Sequence, residues 1–295
     1  MSNKNYDVVI IGNYTKDTII SPSGTRYVDG GGFNYGAYVA AMMGLKVAAM
    51  TRLAKEDNHV VENLRSSGVE VFPFYSPKST LMQLYYPGTN VDERVLTVKS
   101  VADPFLPEQV NILDAKIFLL NASTRGEISL EVIKELRKKD ALIVADLQGY
   151  IRTIADDGTL HDTEWKEKEE VLSRVDILKS DAVEAEFITG ETDIRVQAKK
   201  LFELGPREIV LTHRNGILVF AEGKYHEAAF TYSKLVGRSG RGDTCISSYV
   251  CKRLTSSPEE SIIWSAAVTS LKMEAEGPIK RDISEVEEHV LKNYN

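Results

Sequence analysis

Short apolar runs alternate with amphipathic stretches along most of this chain. "YDVVIIG", "KVAAMTRLA", "AKIFLLNA", "ALIVADL", "VDILKS" and "REIVLTH" are nearly continuous in apolar residues, as strands buried on both faces are. Between them, "NYGAYVAAMMG", "DNHVVENLRSSG", "SLEVIKELRKKD" and "DIRVQAKKLFELG" place apolar residues three and four apart, the helical period. Buried strands alternating with such helices predict an α/β fold, a mostly parallel central sheet with helices on both faces. Ligands of these sheets bind beyond the carboxyl ends of the strands, so residues at strand ends carry the chemistry.

Two segments break the alternation. "DTIISPSGTRYVDGGG" (17–32) and "STLMQLYYPGTNVDERVLTVKS" (79–100) hold short strand-like runs split by Pro, Gly and Asn, with no helix between. They predict antiparallel ribbon forming a small lid beside the main sheet, or else an antiparallel extension of that sheet. Near the other end, Ser257 as N-cap, Pro258 at N1 and Glu260 at N3 form a capping box that opens a long helix.

A length of 295 residues allows one large α/β domain or two modest ones. With 36 basic against 43 acidic residues the formal charge is −7, and no basic block appears, which argues against nucleic acid as the partner. The first apolar run is bracketed by Asp7 and Asn13, too short for a signal peptide or a membrane span. Cys245 and Cys251 lie six apart in one expected helix and face different ways, so no disulfide joins them and a reducing cytoplasm is the expected setting. The five histidines lack metal-ligand spacing, and no zinc site is expected.

The stretch "LVGRSGRGDTCISSYV" (235–250) has almost the glycine spacing of a phosphate-binding loop, yet Asp243 stands where the lysine of such a loop would be. After it, Ile246, Tyr249, Val250 and Leu254 follow a helical period, so the loop opens a helix. Gly237, Gly240 and Gly242 permit a sharp turn with N–H groups close to a ligand, at the positive end of the helix. Asp243 would then face the attacking hydroxyl rather than the phosphate, accepting its proton while the N–H groups of Gly240, Arg241 and Gly242 steady the transferring group. Arg238 and Arg241 add positive charge. An ordinary loop in which Asp243 supports the helix dipole, at ~0.3–1 kcal/mol, accounts for the local sequence equally well.

This loop resembles the second signature, DTxGAGD, of the ribokinase-like or phosphofructokinase-B family of carbohydrate kinases, with Gly237, Arg238 and Arg241 in place of the signature's first Asp, Thr and Ala. The resemblance extends over nearly the whole chain and implies a single ribokinase-like domain, 1–295, with Asp243 as base. "DGGGFNYGAYVAAMMG" resembles the first signature through Gly30, Gly31, Asn34 and Gly44. It implies backbone packed against a polyol at the glycines and polar contacts from Asn34. Asp17, shortly after the first strand, is implied as an acceptor for substrate hydroxyls. "DILKSDAVEAEFITG" resembles the NxxE segment, with Asp181 for its Asn; Glu184 and Asp181, three apart on one helix face, would hold magnesium-bound phosphates, or simply form a solvated acidic face. "VLTHRNGILVF" resembles the strand-turn-strand beside the adenine, implicating Thr212 and Gly216 in nucleotide binding; a plain hairpin turn at Asn215-Gly216 fits as well.

"ADLQGYIR" (145–152) is similar to a segment of the family's inositol kinases and puts Gln148 and Arg152 at a strand end facing the substrate crevice. The implied activity is therefore ATP- and Mg2+-dependent phosphorylation of an alcohol of a small sugar or polyol, a cyclitol by preference, with a monovalent cation left open. Aromatic Phe33, Tyr35, Tyr85 and Tyr86 would alternatively stack on the base of a nucleoside. A catalytically silent metabolite sensor is the third reading. Exposed lid strands allow a homodimer through edge pairing.

Overall fold

The computed structural model describes residues 6–88 and 93–294; positions 89–92 of the expected second lid segment lie outside them. The strands in chain order are β1 (Tyr6–Ile11), β2 (Thr15–Ser21), β3 (Gly24–Gly30), β4 (Val47–Leu53), β5 (Glu70–Tyr75), β6 (Thr80–Tyr85), β7 (Val95–Ser100), β8 (Ala115–Leu120), β9 (Leu142–Asp146), β10 (Arg152–Ile154), β11 (Leu160–Asp162), β12 (Ile177–Asp181), β13 (Glu208–His213), β14 (Gly216–Ala221) and β15 (Lys224–Ala229). Nine of them form the central sheet in the order β5-β4-β1-β8-β9-β12-β13-β14-β15. Every neighbouring pair from β5 to β13 is parallel, and β14 and β15 add an antiparallel edge.

The apolar runs are continuous because both faces of each strand are covered. Val8, Ile10, Ile117 and Leu119 point into one core, which helices Gly32–Met42 and Arg241–Arg253 cover; Val9, Ile11, Phe118 and Leu120 point into the other, with helices Leu130–Leu136 and Ile194–Glu203. Pro73, which lacks an N–H, is accommodated because β5 is the sheet's edge. The chain runs from β1 outward to β4 and β5, then returns to β8 on the other side of β1. That reversal opens a crevice at the carboxyl ends of β1 and β8.

The two irregular segments form a separate four-stranded sheet, β3-β2-β6-β7. The expectation of purely antiparallel ribbon needs correction here. β2/β3 and β6/β7 are hairpins, but the central β2/β6 pair is parallel, because two hairpins from distant parts of the chain meet side by side. Thr15, Asp17, Ile19, Met82 and Leu84 alternate onto its buried face, while Tyr27, Leu81 and Tyr85 are exposed. A short β10/β11 hairpin, which the sequence pattern did not reveal, touches this sheet through Thr97 and Thr159.

The capping box at Ser257 is present and opens helix Pro258–Met273, and both cysteines are buried and free. No helix among the described residues is long and apolar enough to cross a membrane. The Asn215-Gly216 turn is offset by one residue: Gly216 already pairs with His213 and begins β14. A Cβ there would lie 2.3 Å from the Ala228 carbonyl oxygen, so packing against β15 requires the glycine.

Phe118, fully buried at the centre of the sheet, tests this architecture. Phe118→Ala should lose ~3–5 kcal/mol of unfolding free energy in urea titrations. Leu291→Ala, on the exposed face of the last helix, should stay within ~0.5 kcal/mol of the parent.

Candidate active site

Gly240 is the N-cap of helix Arg241–Arg253 and has φ +76°, a left-handed conformation open to glycine. A Cβ on it would lie 2.3 Å from the Tyr35 ring, and one on Gly242 would lie 2.6 Å from Lys179 Nζ. The loop therefore packs with its backbone directly against side chains. Arg241 N–H already donates to the Arg238 carbonyl at 3.2 Å. That N–H, expected to face the ligand, thus has a partner within the loop, although Arg241 does wall the cavity described next.

Two adjoining cavities, of about 100 and 110 Å³, share a wall made by Arg94, Gln148, Arg152, Ser239, Gly240 and Asp243. One continues past Lys179, Asp181, Glu184, Thr212, Arg238, Arg241 and Gly242; it has five basic side chains, three carboxylates and no apolar residue in its wall. The other continues past Thr15, Asp17, Gly31, Gly32, Tyr35 and Ser123 and is roofed by Met82, Leu84 and Leu96 of the lid. Asp243 stands between them with Oδ1 enclosed and without a hydrogen-bond partner. Burial pushes its carboxyl up, against the opposing pull of Lys179, Arg152 and Lys272. Asp17 likewise has a buried, unpartnered Oδ1. Burial, opposed by the Thr15 hydroxyl and reinforced by the charge of Asp243, brings its carboxyl to about 7.

Beneath the cavities, Lys179 Nζ donates to Asp146 Oδ2 at 2.8 Å, both side chains being buried. Burial pulls the Lys179 ammonium down, but Asp146, Glu184 and Asp181 more than offset it and hold its pKa up. Glu127, also buried, accepts the N–H of Asn13 at 2.6 Å and of Ser123 at 2.9 Å, tying together the loops that leave β1 and β8. Its carboxyl is pushed up to about 7 by burial.

Asp181 and Glu184 do not lie side by side on a helix face. Asp181 is the N-cap of helix Ala182–Thr189 and Glu184 its N3 residue; Asp181 Oδ1 accepts the N–H of Val183 and Glu184, and Glu184 Oε2 accepts that of Asp181. Glu184 Oε1 takes Arg152 Nη2 at 2.7 Å. No group of three metal-ligating side chains exists among the described residues. Both carboxylates nevertheless face the cation-rich cavity, a donor set that suits magnesium, which usually keeps several waters and rides on substrate phosphates.

Of the other expected residues, Gly31, Gln148, Arg152, Thr212 and Arg238 wall the cavities. Gly30 lies behind Asp17, whose Oδ2 would be 2.4 Å from a Cβ there. Asn34 and Gly216 are not brought in: the Asn34 amide donates to the Asp29 carbonyl at 3.0 Å, and Gly216 packs against β15. Nor do the aromatics gather into a stack, since Phe33 is in the core, Tyr35 lies under Gly240 and Tyr85 is half exposed on the lid. Lys179, Arg94 and Ser239 were not singled out from the sequence. Lys179 lies inside the NxxE-like segment, two residues before Asp181, and a cation at a strand's carboxyl end was the available signal.

The class that this fold and site define is confirmed by comparison. The model of the pfkB family carbohydrate kinases matches residues 4–284, and the chain belongs to that family. Among curated proteins, the cytidine kinase of Thermococcus kodakarensis (strain ATCC BAA-918 / JCM 12380 / KOD1) is 27% identical over 253 residues, spanning 80% of this chain and 84% of that protein. Among solved structures, a pyrophosphate-dependent kinase in the ribokinase family, complexed with a pyrophosphate analog and myo-inositol, superposes with a TM-score of 0.88 at 32% identity, covering 95% of this chain and 99% of the other. A sulfate complex of a pyrophosphate-dependent kinase in the ribokinase family gives 0.89 at 33%, with the same coverage. Arabidopsis thaliana ribokinase complexed with ribose and ATP shares the fold, with a TM-score of 0.77 at 19% identity over 97% of this chain and 98% of the other.

Two substitutions probe the site's geometry. The raised pKa of Asp17 means that the folded protein holds a proton the unfolded chain releases. Its contribution to stability is therefore full at low pH and is lost as the pH rises through about 7, a change on the order of a few kcal/mol. Asp17→Asn should raise the melting temperature of the ligand-free protein, increasingly from pH 5 to pH 8. Gly32→Ala would place a Cβ 2.7 Å from Asp243 Oδ1 and 2.5 Å from Asn121 Cβ; it should lower turnover by roughly tenfold or more by displacing the carboxylate, as a small misplacement does.

Proposed function

We propose that this protein transfers a phosphoryl group from pyrophosphate to a hydroxyl of a small polyol of the inositol kind. The observation that carries the reading is the donor cavity, walled by five cations and no apolar side chain, meeting the polyol cavity at Asp243. A donor with phosphates and no base suits such walls. Gly216, expected beside an adenine, lies in the sheet and packs against β15. The pyrophosphate dependence and myo-inositol complex of the 32–33% identical solved structures support the same donor and acceptor.

In this mechanism the polyol lies against the Gly31–Gly32 backbone and hydrogen-bonds to Asp17, Gln148 and Arg152. Asp243 accepts the proton of the attacking hydroxyl as oxygen bonds to phosphorus, and its raised pKa makes it a better base than an exposed carboxylate. The N–H groups of Gly240 and Gly242 and the helix N-terminus steady the transferring group, while Arg238, Arg241 and Lys179 take up the charge of the departing phosphate. Magnesium, held through Asp181 and Glu184, would supply further charge neutralisation on the donor. Met82, Leu84 and Leu96 exclude water that would otherwise intercept the phosphoryl group.

The measurement is phosphorylation of myo-inositol and other polyols with pyrophosphate or ATP as donor. Pyrophosphate should support turnover, and Asp243→Asn should fold normally and lose roughly 10²–10⁴ in kcat. Arg241→Met should raise the KM for pyrophosphate by about tenfold, or ~1.4 kcal/mol. Turnover with ATP alone sinks the donor assignment; turnover with cytidine in place of polyols sinks the acceptor; a folded Asp243→Asn with parental kcat removes the base.

A further inference from the structure

Lys272 lies in the last turn of helix Pro258–Met273 with only 1% of its surface exposed. A buried ammonium requires partners, and those of Lys272 are backbone carbonyls of the glycine loop. Its Nζ donates to the Gly237 carbonyl at 2.9 Å and to the Ser239 carbonyl. It also sits over the Tyr35 ring, 5.4 Å from the centroid. The same ring lies directly under Gly240, 2.3 Å from where a Cβ would be. Lysine and tyrosine thus hold the loop from the inside.

Peptide geometry gives this grip a direction. No peptide bond among the described residues is cis, and in a trans peptide the C=O and the following N–H point opposite ways. Drawing the Gly237 and Ser239 carbonyls toward a buried ammonium therefore turns the N–H groups of Arg238 and Gly240 the other way. Arg238 and Gly240 both wall the cation-rich cavity, and Lys272 walls neither cavity. Burial pulls the ammonium down to about 8, against the charges of Glu276 and Asp243, so the grip is charged at neutral pH.

We propose that Lys272 is a positioning residue for the phosphoryl donor, fixing the glycine loop so that the N–H groups of Arg238 and Gly240 face the donor cavity. This rests on the proposed phosphoryl transfer for the loop's purpose, but the loop's conformation can be read without any ligand. Hydrogen exchange of the loop amides, including those of Gly237 and Arg241, and calorimetric titration with pyrophosphate and separately with myo-inositol would be compared in the parent, Lys272→Met and Lys272→Arg.

In folded Lys272→Met, loop exchange should be at least tenfold faster and pyrophosphate affinity at least tenfold weaker, with myo-inositol affinity within twofold; Lys272→Arg should recover most of both losses. Loop exchange within twofold of the parent in Lys272→Met overturns the proposal. So does equal weakening of pyrophosphate and myo-inositol binding in both variants, which marks a structural role. If Lys272→Met does not fold, Lys272→Gln is judged by the same criteria, and failure of all three to fold counts against the proposal. A parent that neither binds nor uses pyrophosphate refutes the proposed donor, and loop exchange alone then decides the role of Lys272.

Discussion

In the proposed phosphoryl transfer, a carboxylate that takes a proton and a phosphate chain that delivers phosphorus must approach within a few ångströms, and they repel. At 4 Å and an effective dielectric constant near 20, two like unit charges oppose each other by about 4 kcal/mol. The arrangement around Asp243 answers that conflict. Its carboxylate is at the mouth of a helix, where the dipole favours negative charge. Five cations wall one of the two cavities it stands between. Lys179 can remain charged in so buried a place because Asp146 lies beneath it, and that pair is itself secured by the sheet, since β9 and β12 are parallel neighbours.

The fold brings these groups together at the ends of its strands. β1 passes through Asn13 directly into the lid strand β2, so Asp17 is only a few residues from the main sheet and yet belongs to the roof. Glu127 fixes both Asn13 and Ser123, which joins the two sides of the topological reversal. The buried face of the lid raises the pKa of Asp17 by removing water, and burial raises that of Asp243 as well. Enclosure and the raised pKa of both carboxyls are therefore one physical effect in this protein.

The glycine loop was legible because its residues are contiguous: Gly240, Gly242 and Asp243 occupy one turn, and the helix that follows announces itself by period. The parallel sheet was legible because burial on both faces leaves continuous apolar runs. Asn34 and Gly216 looked equally functional, yet each has a local structural use, one holding the Asp29 carbonyl and the other admitting β15. Asp181 and Glu184 were singled out by their resemblance to the NxxE segment, but the same three-residue spacing is that of a capping box, and the capping box is what their hydrogen bonds form.

From the linear chain alone came the α/β class, the two lid segments and a carboxylate at a helix mouth, since each follows from local period, turn chemistry or charge against the helix dipole. Only the tertiary structure decided the walls of the cavities. Lys179, Arg94, Tyr35 and Lys272 are an ordinary strand cation, loop cation, helix aromatic and helix cation when read in order. Their chemistry arises from partners far away in the chain, and burial and distance are not written in local sequence.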